Sequence, residues 1–216
     1  MTQSTEQSIL DTHYMARAIE LARNGLYTTH PNPRVGCVIV RDGQIVGEGW
    51  HVRTGEPHAE VHALRAAGEL ARGATAYVTL EPCSHHGHTP PCAEGLITAG
   101  VARVVAAMQD PNPEVAGRGL KRLADAGIEV RSGVLEADAR ALNPGFLKRM
   151  EHGLPFVRVK MAMSLDGRTA MANGESQWIT GPEARSAVQR LRAQASVVLT
   201  GADTVLADGA RLTVRG

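Results

Sequence analysis

The sequence predicts an α/β protein: a three-layer αβα domain over residues 1–150, followed by the opening of a second α/β domain over residues 151–216. Three observations carry that expectation. Segments with apolar residues at helical spacing alternate with compact β-branched runs, the rhythm of a central sheet covered by helices on both faces. An Asp-Gly pair separates two β-like runs near the start of the chain. The pattern then resets around Glu151-His152-Gly153-Leu154-Pro155.

Taken in order, Met15, Ala18, Ile19 and Ala22 place a helix over Asp11 to Asn24, with Asp11 or Thr12 as its N-cap and Gly25 as its stop. Val35 to Val40 reads as a strand that turns through Arg41-Asp42-Gly43 into Ile45 to Trp50. A helix follows from His58 to Leu70, and a strand from Thr75 to Leu80 ends at Glu81-Pro82-Cys83. The next helix starts at Pro91-Cys92 and stops at Gly100. Val101 to Met108 is a strand, Gly119 to Ala126 a helix and Ile128 to Arg131 a short strand. Ala137 to Arg149 reads as helical with a bend at Pro144. After the reset, Phe156 to Met163 and Val197 to Thr200 read as strands, with a helix over Pro182 to Arg192 between them. This last stretch is too short for an independent α/β domain of ordinary size. Its open sheet edge after Val197 to Thr200 invites pairing with another chain, as in a homo-oligomer, while the sequence itself does not give the oligomeric state.

Composition narrows the function. With 23 Lys and Arg against 22 Asp and Glu, the formal charge is +1, which gives no extended field to hold a polyanion. Aromatic residues are 3% of the chain, too few for stacking single-stranded nucleic acid. Neither nucleic acid nor membrane is an expected partner. The start lacks an apolar segment of signal-peptide type, and no apolar run approaches the roughly 20 residues that span a bilayer. The expectation is a cytoplasmic protein. Three cysteines are too few for a disulfide scaffold, so Cys83 and Cys92, in a His-rich stretch, read as metal or catalytic residues.

Seven of the nine histidines lie between His30 and His88, which concentrates the chemistry there. One imidazole from His58 and two thiolates from Cys83 and Cys92 satisfy three corners of a tetrahedral Zn2+ site and leave the fourth for water. Both fragments fall at predicted helix starts, where free N–H groups and the dipole favour thiolates. Two thiolates and a neutral imidazole bring the ion near zero charge, so it acidifies water less than an all-histidine site. Glu60 beside it can take the proton from that water and deliver it to a leaving group. A ligating His, a Glu two residues on and two downstream cysteines form the pattern of zinc nucleobase deaminases. Read singly, His58 and His62 would be structural histidines, Glu60 a first-turn acid and Cys37 a small buried hydrophobe. Eight residues separate Cys83 from Cys92, where the common pattern has two. That polar loop, with His85, His86 and His88, suits an anionic group such as phosphate. The same histidines could instead close a structural zinc site, giving a zinc-stabilised binding module without turnover. A tRNA or nucleoside deaminase is the rival among enzymes.

His58-Ala59-Glu60-Val61-His62-Ala63-Leu64, Thr79-Leu80-Glu81-Pro82-Cys83-Ser84-His85 and Thr89-Pro90-Pro91-Cys92 resemble the bifunctional riboflavin-biosynthesis deaminase/reductase family. His30-Pro31-Asn32-Pro33 with Val35-Gly36, and Asp110-Pro111-Asn112-Pro113 with Val115 to Gly119, match it as well. So do Lys160, Ser164 to Arg168 and Gly174 to Thr180. The resemblance runs from Tyr14 to Arg215.

It implies a cytidine-deaminase-like domain followed by the beginning of a dihydrofolate-reductase-like domain. It also implies a small-molecule substrate, 2,5-diamino-6-ribosylamino-4(3H)-pyrimidinone 5′-phosphate, losing its ring 2-amino group as ammonia. In the family a second activity then uses NADPH to reduce the ribosyl chain. By the same resemblance, His58, Cys83 and Cys92 bind zinc and Glu60 shuttles the proton. Asn32, His51, His85, His88 and Asn112 contact base, ribose or phosphate. Ala162, Trp178, Thr204 and Asp208 contact NADPH, and Lys160, Ser176, Arg192, Leu212 and Arg215 the reductase substrate. Arginines suit phosphate because a guanidinium forms paired, charge-assisted hydrogen bonds. Where the family carries an acidic residue or Asn and then Pro after the Asp corresponding to Asp208, this chain has Gly209-Ala210. The loop thereby loses a rigid residue and gains a flexible one. Family members also continue past Gly216. The expectation for the 216 residues alone is deamination without reduction.

Overall fold

The computed structural model describes residues 3–84, 90–113 and 115–215, and they form two compact units, 1–156 and 157–216. In the first unit a five-stranded sheet has the order β2-β1-β3-β4-β5, built from β1 (Gly36–Arg41), β2 (Gln44–Trp50), β3 (Thr75–Val78), β4 (Arg103–Ala106) and β5 (Glu129–Ser132). β1 runs antiparallel to both β2 and β3, while β3, β4 and β5 are parallel. The expected hairpin is present: Asp42 and Gly43 both adopt positive φ, +50° and +74°, the combination a two-residue turn of matching twist requires.

Helices cover both faces, and the alternation along β1 shows how. Val38 and Val40 point into one core with Met15, Ala18, Ile19 and Ala22 of α1 (Gln3–Ala22), Leu142 of α5 (Glu136–Leu142) and Leu147 of α6 (Pro144–His152). Cys37 and Ile39 point into the other. There they meet Ala59, Ala63 and Ala67 of α2 (Ala59–Ala67), Leu96 of α3 (Cys92–Ala99) and Leu123 of α4 (Arg118–Asp125). This is the three-layer αβα arrangement, assembled from a period-2 strand pattern between period-3.6 helical faces.

Four details depart from expectation. α1 begins at Gln3, so Asp11 sits mid-helix rather than capping it. The bend at Pro144 is a full break, with Asn143 between α5 and α6 and Pro144 opening α6, where its missing N–H costs nothing. The second unit contains the expected helix as α7 (Pro182–Ala193), and also α8 (Ala202–Asp208), which the sequence reading did not include. Over 156–163 and 197–200, where strands were expected, no strand is formed. A strand needs a neighbouring strand to form a ladder with, and the five-stranded sheet does not extend to these segments. Val159 and Leu199 are accordingly 80% and 89% exposed. No helix among the described residues is long and apolar enough to cross a membrane.

The mid-helix position of Asp11 has a physical reason. Its carboxylate is fully buried and accepts two hydrogen bonds from Arg103 (2.7 and 2.8 Å), one from Arg131 (2.8 Å), one from the Tyr77 hydroxyl (2.9 Å) and one from the Gln7 amide (3.0 Å). One side chain thus ties α1 to β3, β4 and β5. Burial alone would raise the Asp11 pKa; the donors from Arg103, Gln7 and Tyr77 outweigh it and bring the group from 3.8 down to about 2. A depressed folded-state value means the stabilisation, about 2 kcal/mol, is complete above the unfolded pKa and is lost as pH falls through about 2. Asp11→Asn is expected to lower unfolding free energy by about 3 kcal/mol in denaturant titrations at pH 7, because two guanidiniums lose their counter-charge. The deficit should shrink as the comparison is moved toward pH 2. A variant within 0.5 kcal/mol of wild type would mean that the network stabilises nothing, on the scale of an ordinary surface change of about that size.

Candidate metal centre and active-site cavity

The site lies where the edge strand β2 and the central strand β3 hand over to the N-termini of α2 and α3. His58 is the residue just before α2, in extended conformation, and Cys92 is the first residue of α3. α2 can sit this close to β2 because the strand presents Gly47 and Gly49. A Cβ on Gly49 would stand 2.4 Å from the Ala59 carbonyl oxygen and one on Gly47 2.2 Å from that of Ala63. Cys83 follows β3 after a short extended run, and its carbonyl accepts the Ala93 N–H at 3.1 Å. The Cys92 N–H in turn points at the Cys83 sulfur, 3.3 Å away. The two cysteines are therefore pinned to each other by backbone before any ion is considered.

The donor atoms converge. His58 Nδ1 lies 3.3 Å from Cys92 Sγ and 3.7 Å from Cys83 Sγ, and all three donors fall within 4.8 Å of one another. Zinc bonds of ordinary length at a tetrahedral angle put nitrogen and sulfur about 3.6 Å apart, so the set fits Zn2+ as it stands. The charges fit too. The hydrogen bond from Cys92 is the main influence that lowers the Cys83 pKa, helped by His58 and the Cys92 backbone N–H, while the same contact and burial push Cys92 up. The pair thus holds one thiolate readily and a second only against a cation. The Cys83 sulfur also raises His58.

Glu60, in the first turn of α2, is 3% exposed, and burial raises its carboxyl above the usual range despite the opposing pull of His58. A carboxyl held upward in this way is suited to taking a proton and giving it back. Around these residues lies a cavity of about 260 Å3 whose lining includes Asn32, His51, His58, Glu60, Cys83 and Asn112. His51 is buried. Its Nδ1 faces the Pro57 carbonyl at 3.2 Å, which fixes that nitrogen as the donor, and its Nε2 is buried with no hydrogen-bond partner among the described residues. Burial lowers the His51 pKa and keeps the ring neutral, so Nε2 is an acceptor.

The structure brings Asn32, His51, Glu60 and Asn112 to the same cavity as His58 and Cys83, and the Cys92 sulfur meets the His58 imidazole beside it. His85 and His88 lie outside the described residues. Among the lining residues that sequence reasoning did not assign to the site are Glu81, Arg149 and Phe146. Glu81 was visible as part of a motif, but its partners lie about thirty residues downstream. Arg149 and Phe146 come from α6, and nothing in their local sequence points to a ligand.

For the second unit the structure shows local arrangements. Trp178 is exposed with the Arg185 guanidinium 4.4 Å over its ring. Arg192 donates to the carbonyls of Arg211 (3.0 Å) and Thr213 (3.4 Å), and the Arg215 N–H donates to Gln189 Oε1 at 3.0 Å. Lys160, Ser176 and Thr204 are exposed, and Ala162 and Leu212 partly so. The Asp208 side chain lies outside what is described.

Comparison with known proteins finds matches to both parts of the chain. The family described as the cytidine and deoxycytidylate deaminase zinc-binding region matches residues 8–108, and the RibD C-terminal domain matches residues 155–216. Riboflavin biosynthesis protein RibD of Escherichia coli (strain K12) is 69% identical over 205 residues, 95% of this chain and 56% of that protein. Solved structures of RibD from Acinetobacter baumannii (form 1; 60% identity, TM-score 0.93) and of a diaminohydroxyphosphoribosylaminopyrimidine deaminase/5-amino-6-(5-phosphoribosylamino)uracil reductase from Thermotoga maritima (45%, 0.91) each cover 97% of this chain. The chain covers 59% and 60% of them, respectively. The chain thus spans a little over half the length of these relatives.

The donor geometry makes a direct prediction. Purified protein should carry about one zinc per chain, and Cys92→Ser should lose it while Cys37→Ser keeps it, as read by atomic absorption. Equal zinc in both variants would place the ion elsewhere. Across 95% of its length the chain is similar to riboflavin biosynthesis protein RibD, and two family models match it over residues 8–108 and 155–216.

Proposed function

We propose that the domain over residues 1–150 hydrolyses the ring 2-amino group of 2,5-diamino-6-ribosylamino-4(3H)-pyrimidinone 5′-phosphate and releases ammonia. The observation that carries this reading is the buried Glu60 carboxyl in one cavity with His58 and Cys83, whose donor atoms converge with the Cys92 sulfur. Zinc held by those three would lower the pKa of a water and so supply the nucleophile. Everything else is work for side chains. Glu60 takes the proton from the attacking water and passes it to the departing amino group, a transfer within its reach because α2 fixes it two residues from His58. Neutral His51 offers Nε2 to a donor on the base or sugar, and Asn32 and Asn112 offer amides that read the ring edge. Arg149, exposed on α6 and lining the cavity, supplies a guanidinium for the 5′-phosphate, with His85 and His88 in the same role.

The substrate is a small molecule rather than a nucleic acid, supported by a formal charge of +1. The setting is cytoplasmic, and a homo-oligomer would cover the exposed Val159 and Leu199 of the second unit. We divide the work at residue 150. Residues 151–216 belong to an NADPH-dependent reductase domain, in which Ala162, Trp178, Thr204 and Asp208 face the cofactor. Lys160, Ser176, Arg192, Leu212 and Arg215 face the substrate there. With no paired strand among the described residues after 156, this stretch alone is expected to leave NADPH unconsumed.

Ammonia release and NADPH absorbance, followed separately with the pyrimidine phosphate, test both halves. Glu60→Gln should retain zinc and lose about 100-fold or more in kcat. Undiminished turnover by Glu60→Gln, or deamination of tRNA or free cytidine in place of the pyrimidine phosphate, would contradict the reading. NADPH consumption by the 216-residue chain would contradict its second half.

A further inference from the structure

Glu81 is 3% exposed, yet no cation neutralises its carboxylate among its hydrogen bonds. Its partners are backbone N–H groups. Oε2 accepts from Asp110 (3.1 Å) and Gly117 (2.9 Å), and Oε1 from Gly119 (2.8 Å) and Leu120 (3.3 Å). The last two belong to the first turn of α4, whose N-cap, Gly117, has no side chain to satisfy them. The carboxylate is therefore the cap of α4 and also a bracket across the loop that leads into it.

That loop carries Asn112. Within it the Asn112 carbonyl accepts from Val115 and Ala116, and the Asn112 N–H donates to Asp110 Oδ1 at 2.8 Å, so the turn is built on its own backbone as well. The loop can reach Glu81 only because residue 119 is glycine: a Cβ there would stand 1.9 Å from the Pro82 carbonyl oxygen. On its other side Glu81 is anchored to the sheet, its N–H donating to the Met108 carbonyl at 3.0 Å. Two residues further on is Cys83. One residue thus joins the run that delivers a metal donor to the loop that delivers Asn112, and both line the same cavity.

We propose that Glu81 is a positioning residue: by bracketing loop 110–117 and capping α4 it holds Asn112 at a fixed distance from the metal donors, so that substrate is bound without first ordering the loop. The inference rests on the deaminase reading for its kinetic consequence, though not for its structural one. Glu81→Gln replaces one acceptor oxygen by a donor that faces two N–H groups, and Glu81→Asp withdraws the carboxylate by one methylene while keeping its charge.

The test uses zinc-loaded full chain. Without substrate, amide exchange at Asp110, Gly117 and Gly119 should be slow in wild type and accelerate about 10-fold or more in Glu81→Gln, with Glu81→Asp between them. With the pyrimidine phosphate, KM should rise about 10-fold while kcat stays within about 3-fold and zinc content is unchanged. Fast exchange at these amides in wild type, or exchange and KM unmoved in Glu81→Asp, overturns the proposal. So does loss of zinc and kcat with KM unmoved, the mark of a merely structural role. If wild type releases no ammonia, the deaminase reading fails and the exchange comparison still decides whether Glu81 brackets the loop.

Discussion

Everything in the first unit that could act on a substrate depends on three atoms meeting: one imidazole nitrogen and two sulfurs from positions up to 34 residues apart. No local preference brings them together. His58 waits at the entrance to α2 and Cys92 at the entrance to α3, and those two helices lie on the same face of the sheet because their alanine-rich inner sides share one core. The glycines of β2 let α2 descend onto the strand, and the backbone contacts between Cys83 and the start of α3 close the triangle. The packing fixes the donors, and the donors then fix what chemistry the cavity can hold.

Two buried carboxylates solve the problem of charge in a low-dielectric interior in different ways. Asp11 is surrounded by guanidiniums and a phenol, and it binds a helix to three strands. Glu81 meets amide dipoles, two of them at a helix N-terminus where negative charge is favoured. Removing the charge from the first should loosen the whole unit, since its partners are spread over the sheet. The second acts over one loop. The difference follows from what each touches, since both are acids of ordinary chemistry with almost no exposure.

Much of the first unit was legible from the sequence because its signals are local. The Asp42-Gly43 hairpin, the glycine stop after α3 and the helical spacing of Met15, Ala18 and Ile19 each announce themselves within a few residues. The metal donors and Glu60 were legible because zinc chemistry restricts both residue type and spacing. What was missed is non-local. Asp11 resembles an N-cap until its partners at residues 77, 103 and 131 are known, and the helix simply continues back to Gln3. The amides that Glu81 accepts, and the arrival of Arg149 at the cavity, are products of folding rather than of composition. The alternating apolar residues over 156–163 have the right period for a strand but join no sheet among the described residues, and period alone does not make one.

Zinc-edge X-ray absorption on the purified chain tests the central claim most directly, because it reads the ligands of the ion itself. The account predicts two sulfurs at about 2.3 Å, one imidazole nitrogen at about 2.0–2.1 Å and one light, exchangeable oxygen. A fourth protein ligand in place of that oxygen, or a shell without sulfur, would contradict it.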